Sequence, residues 1–480
     1  MTRPSIPSIL PRSFVFPRSF ALLALCAGSA SGASPLAAQS PSIEVTYRAA
    51  ADSLINAALK DSAAWNRLAK LTDTFGNRLS GSRSLEDAID WALGEMKRDG
   101  LDNVRGEPAM VPHWVRGDES LTLVSPRSTR LPMLGLGGSV GTPKKGITAP
   151  VIVVGSFDEL TTRAADAKGK IVLFDVPFTT YGQTVRYRVG GASAAAKVGA
   201  VAALVRSVTP MSFRTPHTGV MHYDSTIARI PTAAVTVEDA LMMRRMLGRG
   251  DKVVVTLKMT AQMLPLSQSR NVVAEVRGSE KPDEVVLISG HYDSWDVGHG
   301  AMDDGGGAVA AWEAVRLIKQ LGLKPRRTVR VVLWTNEENG TAGGRAYHDA
   351  HSADIDKHVL AIESDNGVFK PRGVALSGTD SATAVIRQVA KLLDRIGAGG
   401  VSAGGGGSDI GPLMEQGVPG MSPEVDEARY FWYHHTDADT IDKLDPHDMA
   451  LCVATMAVMA YVVADLPAPL PHGKGPVTER

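Results

Sequence analysis

The chain has 480 residues, 51 basic and 51 acidic side chains, and only two cysteines, Cys26 and Cys452. That length allows two domains, and the balanced charge lacks the basic field that nucleic-acid binding uses, so nucleic acid is excluded as the main partner. Two cysteines cannot build a disulfide framework, so the fold must rest on its core and on any metals it holds.

Residues 1–38 read as a targeting segment. Arg3, Arg12 and Arg18 precede a short apolar core at 20–30, and small residues follow, with possible cuts after Ala33 or Ala38. The core is too short to span a bilayer. Cys26 would suit a lipoprotein, but Leu25 before it is bulky where such signals carry a small residue, so simple secretion or periplasmic export is preferred. Removing the segment leaves 48 basic and 51 acidic residues, a charge of about −3.

Residues 44–100 carry a helical pattern, with Leu85, Ile89, Leu93 and Met96 as one apolar stripe. Ser84 with Asp87 resembles a capping box, and Gly100 is a natural stop. Near residue 120 the composition shifts, and 121–265 is expected to be a smaller α/β insert between two parts of a larger domain, 41–120 and 266–466. Its strand-like runs are 151–154, 171–174, 201–205 and 230–235, with helical stretches at 192–200 and 237–247. Gly137 to Gly141 reads as a flexible turn, because no P-loop Lys-Ser/Thr follows it. His217 and His222 in this insert are either substrate contacts or ordinary hydrogen-bonded loop histidines.

The chemistry gathers after residue 266. A strand is expected at 272–276, and a second apolar run, 285–288, delivers His291 and Asp293 at a strand end. Asp303 follows twelve residues after His291, and Asp304 and three glycines lead into a helix with Ala308, Ala311, Trp312, Val315 and Ile318 on its face. The run 329–334 ends in Glu337-Glu338, and the run 358–362 ends in Glu363-Ser364-Asp365. Ligands of open α/β sheets bind at the C-terminal ends of the strands. Zinc takes imidazole nitrogen and carboxylate oxygen and leaves a position open for catalysis. A bridging carboxylate can hold two metals about 3.5–4 Å apart, and of two adjacent glutamates one can bind metal while the other acts as general base. Further on come a helix at 382–396, a glycine-rich loop at 403–409, and the stretch from Tyr433 to Thr440 with His434 and His435. Residues 449–464 are uncharged, too few for a span and better read as a buried closing helix with Cys452 an inert core thiol. The tail from Pro467 is expected to be disordered.

Taken in order, H-x-D, D-D-G, E-E, E-S-D and H-T-x-x-D-T resemble the signature of the co-catalytic zinc exopeptidases of clan MH. FGNRLSGS at 75–82, PHTG at 216–219 and FWYHH at 431–435 are similar to its carboxypeptidase Q-like members. The resemblance implies an α/β fold, a mixed, mainly parallel sheet flanked by helices, and identifies the insert with a protease-associated domain. It implies two Zn2+, one on His291 and Asp365, the other on Glu338 and His435, with Asp303 bridging. His434 competes with His435, which is preferred because H-T-x-x-D-T begins there. Asp293, on the same strand face as His291, is suited to orient that imidazole, and Glu337 would pass a proton from water to the leaving amine. Relatives often carry a tyrosine near the glycine-rich loop that polarises the scissile carbonyl. Only glycines stand there in this chain, leaving Tyr430 or Tyr433 as substitutes or as pocket wall. The implied substrates are small peptides or dipeptides, and a homodimer is implied by family alone. Rival readings are an aminopeptidase, an aminoacylase- or aminocyclase-type hydrolase, and a metal-free binding protein on the same scaffold.

Overall fold

The computed structural model describes residues 42–473, so the expected signal segment lies outside the described residues. Within them, eight strands form the larger sheet in the spatial order Asp102–Val115, Gln262–Val276, Arg327–Trp334, Lys281–His291, His358–Glu363, Gly420–Val425, Pro371–Ser377 and Gly400–Ala403. Lys281–His291 runs parallel to both neighbours, and His358–Glu363 runs parallel to Gly420–Val425. Antiparallel pairs flank these four on either side. The sheet is therefore mixed with a parallel centre, as expected. The register aligns His291 with Trp334 and Ser289 with Glu363, which brings three strand ends to one edge.

The apolar runs explain the layering. Val286 and Ile288 face one core together with Val331, Leu333 and Ile362, while Val285 and Leu287 face another with Val332, Trp334 and Ala361. Alternate residues of a strand point to opposite faces, so continuous apolar sequence signals helices on both sides. On the first face lie the helices Ile43–Lys60, Ala63–Phe75, Arg83–Arg98, Gly306–Gln320 and Pro446–Asp465. The last has no polar side from Met449 to Ala464 because it is buried throughout. It is apolar and long enough to cross a membrane, but its neighbours within the protein cover it. Each buried Val, Leu or Ile contributes about 1.5–3 kcal/mol. Cys452 is buried there, donating its thiol to the Phe369 carbonyl at 3.1 Å.

A second eight-stranded sheet uses residues between Glu119 and Met259, in the order Thr129–Leu131, Glu119–Ser125, Val254–Met259, Ile147–Val154, Ile171–Phe174, Ala202–Arg206, Thr232–Val235 and Met133–Gly135. Two helices expected in this stretch are Tyr181–Lys197 and Val237–Gly248. The first begins eleven residues earlier than the alanine-rich segment that signalled it. Trp295 and Val297 of the metal-side loops join this unit's core. Gly137 is tied on both sides, its N–H donating to Gly219 and its carbonyl accepting from Met221, each at 3.0 Å. A Cβ there would come within 2.0 Å of the Trp295 ring. The turn is thus fitted to an aromatic face, and its glycine serves close approach.

Three local expectations are corrected. Ser82, not Ser84, caps Arg83–Arg98 by accepting from Leu85 N at 3.3 Å, while the Ser84 hydroxyl donates to the Asn77 carbonyl at 2.6 Å. The helix expected at 382–396 is α-helical over Asp380–Ala390 and tightens to a 3-10 turn over Lys391–Ile396. The tail expected to be disordered from Pro467 instead packs as far as Gly473. Leu470 is buried, His472 bonds the His358 carbonyl at 2.8 Å, and Gly473 N donates to Gly417 O at 2.9 Å. Residues 474–480 lie outside the described residues.

Candidate metal centre

Asp303 is the centre of the constellation. Its Oδ1 lies 3.1 Å from His291 Nε2, and its Oδ2 lies 3.3 Å from His435 Nε2 and 3.5 Å from His434 Nε2. Asp365 Oδ1 approaches His291 Nε2 at 3.3 Å, and Glu338 Oε2 approaches His435 Nε2 at 3.1 Å. Two groups of ligand-type atoms result, each gathered within 4.8 Å and both containing Asp303: one with His291 and Asp365, the other with His434 and His435. The two histidine rings stack at 3.5 Å, but only His435 also meets Glu338. Its Nδ1 donates to the Thr218 carbonyl at 3.3 Å, which leaves the Nε2 lone pair facing the carboxylates. His291 is set the same way, its Nδ1 donating to the Asp293 carbonyl at 3.0 Å.

Neighbouring loops fix these side chains through buried hydrogen bonds. The Asp293 carboxylate lies 3.8 Å from His291 Nδ1 and accepts instead from the backbone N–H groups of Glu337, at 3.0 Å, and Glu338, at 3.3 Å. The sequence reading gave that carboxylate to the imidazole. In the structure the Asp293 carbonyl orients the ring, and the carboxylate holds the loop of the two glutamates. Glu338 is further held by Trp295 N–H at 3.1 Å, and Glu337 is half-buried beside it. Asp439 accepts from the N–H groups of Ala301, Met302 and Asp303 at 3.1, 2.7 and 3.2 Å. Asp304 accepts from His291 N and Gly307 N, each at 3.1 Å.

The three quoted stretches also acquire physical roles. Arg78 of FGNRLSGS is fully buried and donates to the carbonyls of Gly76, Tyr292, His299 and Gly300 at 2.8–3.0 Å, stapling the loop after His291. Thr218 of PHTG donates its N–H to the His435 carbonyl at 3.0 Å. His217 is buried and donates Nδ1–H to the His434 carbonyl at 2.7 Å, while its buried Nε2 has no hydrogen-bond partner among the described residues, and His222 is exposed. Tyr430 and Phe431 pack their rings against His434.

Electrostatically the site is an excess of buried carboxylates. Burial would depress His291, but Asp365 and Asp303 outweigh it and raise its pKa well above the usual imidazole range. Burial and then the charge of Asp303 push Glu338 well up, and burial moves Asp365 to about 6. Burial and then Asp303 carry Asp439 to about 7, and burial and then Asp365 carry Glu363 to about 8. Asp303 Oδ2 is buried without a hydrogen-bond donor, although it faces two imidazoles. An orphaned buried carboxylate oxygen is costly. Imidazole and carboxylate atoms converging around it fit divalent cations with nitrogen and oxygen ligands.

The peptidase family M28 model matches residues 271–460, which hold every one of these ligand-type residues. Carboxypeptidase Q of Mus musculus is 48% identical over 429 residues, covering 89% of this chain and 91% of that protein. Carboxypeptidase Q of Homo sapiens is 47% identical over 466 residues, covering 96% and 99%. A crystal structure of a peptidase M28 precursor from Shewanella amazonensis SB2B superposes with a TM-score of 0.86 at 36% identity, covering 91% of this chain and all of the other. A zinc aminopeptidase from Bacillus subtilis shares the fold at 21% identity and a TM-score of 0.62, covering 82% of this chain and 93% of that one. The chain belongs to peptidase family M28 and is a metallopeptidase similar to carboxypeptidase Q along most of its length.

Proposed function

We propose that this chain is an exported two-zinc exopeptidase that hydrolyses the terminal peptide bond of small peptides or dipeptides, in the manner the name carboxypeptidase Q gives its relatives. The observation that carries the reading is the Asp303 carboxylate, with one oxygen turned to His291 and the other to His434 and His435. His291 and Asp365 would hold one zinc and Glu338 and His435 the other, with Asp303 between them. Zinc in such a site supplies Lewis-acid polarisation of a carbonyl and makes water more acidic.

The protein groups do the rest. Glu337 takes a proton from the attacking water and returns it to the leaving amine. Asp293 holds that loop by two backbone bonds, so Glu337 stays oriented while its side chain is free to move a proton. Asp439 and Asp304 fix the backbone around Asp303 and His291, which keeps the ligands preorganised. Export is supported by the basic and apolar segment at 1–38, and the insert by its own sheet over Glu119–Met259. A homodimer completes the proposal by family likeness.

The test is an assay of the purified mature protein on free, N-acetylated and C-amidated dipeptides with metal analysis alongside. Close to two zinc equivalents per chain, turnover abolished by a strong chelator, and activity that tolerates N-acetylation but not C-amidation are expected. Full activity in protein without a bound transition metal would refute the assignment.

A further inference from the structure

Attack on a peptide carbonyl builds negative charge on its oxygen, and a donor already aimed at that oxygen is worth most where water is excluded. The unit between Glu119 and Met259 brings a phenol beside the candidate metal centre. Tyr181 opens the helix Tyr181–Lys197, stacks on Phe431 at 5.0 Å between ring centroids, and sets its ring edge-to-face with His434 at 5.2 Å. Two turns on, Arg188 lies on the same helix face and donates Nη2–H to the Tyr181 phenol oxygen at 2.8 Å.

Arg188 is itself unusual. It is 4% exposed, sits with Nη1 3.4 Å from the Thr218 carbonyl and 3.5 Å from His435 Nδ1, and pairs with no carboxylate among the described residues. A buried cation without a counter-ion is costly. The structure gives it one side-chain acceptor, the Tyr181 oxygen. Because that bond uses a lone pair of the phenol, the phenol's own proton is left to donate, and the guanidinium polarises it. Burial raises the Tyr181 pKa, Arg188 opposes the rise, and the charges of Asp303 and Glu337 add to it, so the hydroxyl stays protonated within the field of ligand and base. Among the described residues, Tyr430 packs its ring on His434 and Tyr433 carries Lys443 over its ring face, with no cation bonded to either hydroxyl.

We propose that Tyr181, its hydroxyl polarised and held by Arg188, donates the hydrogen bond that stabilises the oxyanion of peptide-bond hydrolysis, so that the inserted unit supplies a catalytic residue to the metal centre. The inference rests on the exopeptidase reading above. In the step, the water oxygen bonds to the carbonyl carbon, the carbonyl π pair moves onto its oxygen, and the water proton passes to Glu337. On collapse the C=O re-forms, the C–N bond breaks, and the amine takes the proton from Glu337. Tyr181 keeps its proton throughout, and Arg188 is a positioning residue.

Tyr181→Phe keeps the ring stack and removes only the hydroxyl. Its zinc content should match wild type, its melting temperature should drop by a few degrees because Arg188 loses an acceptor, its kcat for a dipeptide should fall by about 10²–10³, and its KM should stay within about threefold. Affinity for a phosphinic dipeptide analogue, whose tetrahedral anion mimics the oxyanion, should fall by about the same factor as kcat/KM. Arg188→Met should lower kcat in the wild-type background and have no further effect on kcat in Tyr181→Phe, a non-additivity that a merely structural arginine would not produce. A Tyr181→Phe enzyme with kcat near wild type, with its loss confined to KM, or with zinc lost would overturn the proposal. A wild-type protein that hydrolyses no dipeptide would instead refute the exopeptidase reading on which it rests.

Discussion

Replacing Asp439 by Ala removes the acceptor of three consecutive buried backbone donors, the N–H groups of Ala301, Met302 and Asp303. A buried donor left without a partner costs about 1–3 kcal/mol. Three would cost up to about 9 kcal/mol if nothing moved, but the loop can relax and Asp439 also repels Asp303. Burial and that charge are what raise Asp439 to about 7. A net loss of about 3 kcal/mol is expected for the chelator-stripped protein, read by urea unfolding. Asp303 would lose its placement, and losing an outer partner of a metal ligand typically costs 10–100-fold in metal affinity, measurable by competition with a chelator of known strength. Asp439→Asn can keep the oxygen that serves Ala301 and Met302 while losing the bond to Asp303. It should be nearer wild type in stability yet still weakened in metal binding. An Asp439→Ala protein with wild-type unfolding and wild-type zinc affinity would refute the idea that this carboxylate holds the Asp303 loop.

Other expectations follow from the same contacts. His217 is held down to about 3 chiefly by burial, so it stays neutral in the fold. The unfolded chain binds that proton below about 6.5, so stability falls as pH drops from about 6.5 towards 3, by at most about 1.4 kcal/mol per pH unit. His217→Asn should show a shallower acid loss of stability than wild type in a pH series of melting temperatures. Gly137→Ala would drive a methyl into the Trp295 ring, displacing the residue whose N–H holds Glu338. A stability loss of about 1–3 kcal/mol with weakened zinc binding is expected, and calorimetry with metal titration checks both.

The side chains that gather around Asp303 were legible because such chemistry demands particular side chains at strand ends. Three apolar runs, each closing in an acid or a histidine, marked the strands Lys281–His291, Arg327–Trp334 and His358–Glu363. Their full lengths were not legible, since residues 281–284, Lys-Pro-Asp-Glu, carry no apolar run and join the strand through a neighbour's backbone. Helix caps failed for a related reason. Ser80, Ser82 and Ser84 give the same local signal, and Ser84 turns to Asn77 while the Ser80 hydroxyl donates to Asn339 Oδ1 at 2.7 Å. Asp439 stood inside a quoted motif without a role, because its three bonds reach a loop more than 130 residues away. Tyr181 and Arg188 carried no sequence signal at all. They meet His434 and His435 across some 250 residues, and only the folded insert brings them there.

The central claim is that Asp303 and its neighbours hold zinc while Glu337, touching no ligand, moves the proton. The most direct measurement compares zinc content and dipeptide turnover in Glu337→Gln and Glu338→Gln. Glu337→Gln keeps the shape of the side chain but cannot take a proton. It should retain about two zinc equivalents while kcat falls by at least the roughly 10²–10⁴ that general acid–base catalysis contributes, with KM changed far less. Glu338→Gln should lose zinc together with activity. A Glu337→Gln enzyme that sheds its zinc, or one that stays active with its zinc in place, would contradict the account.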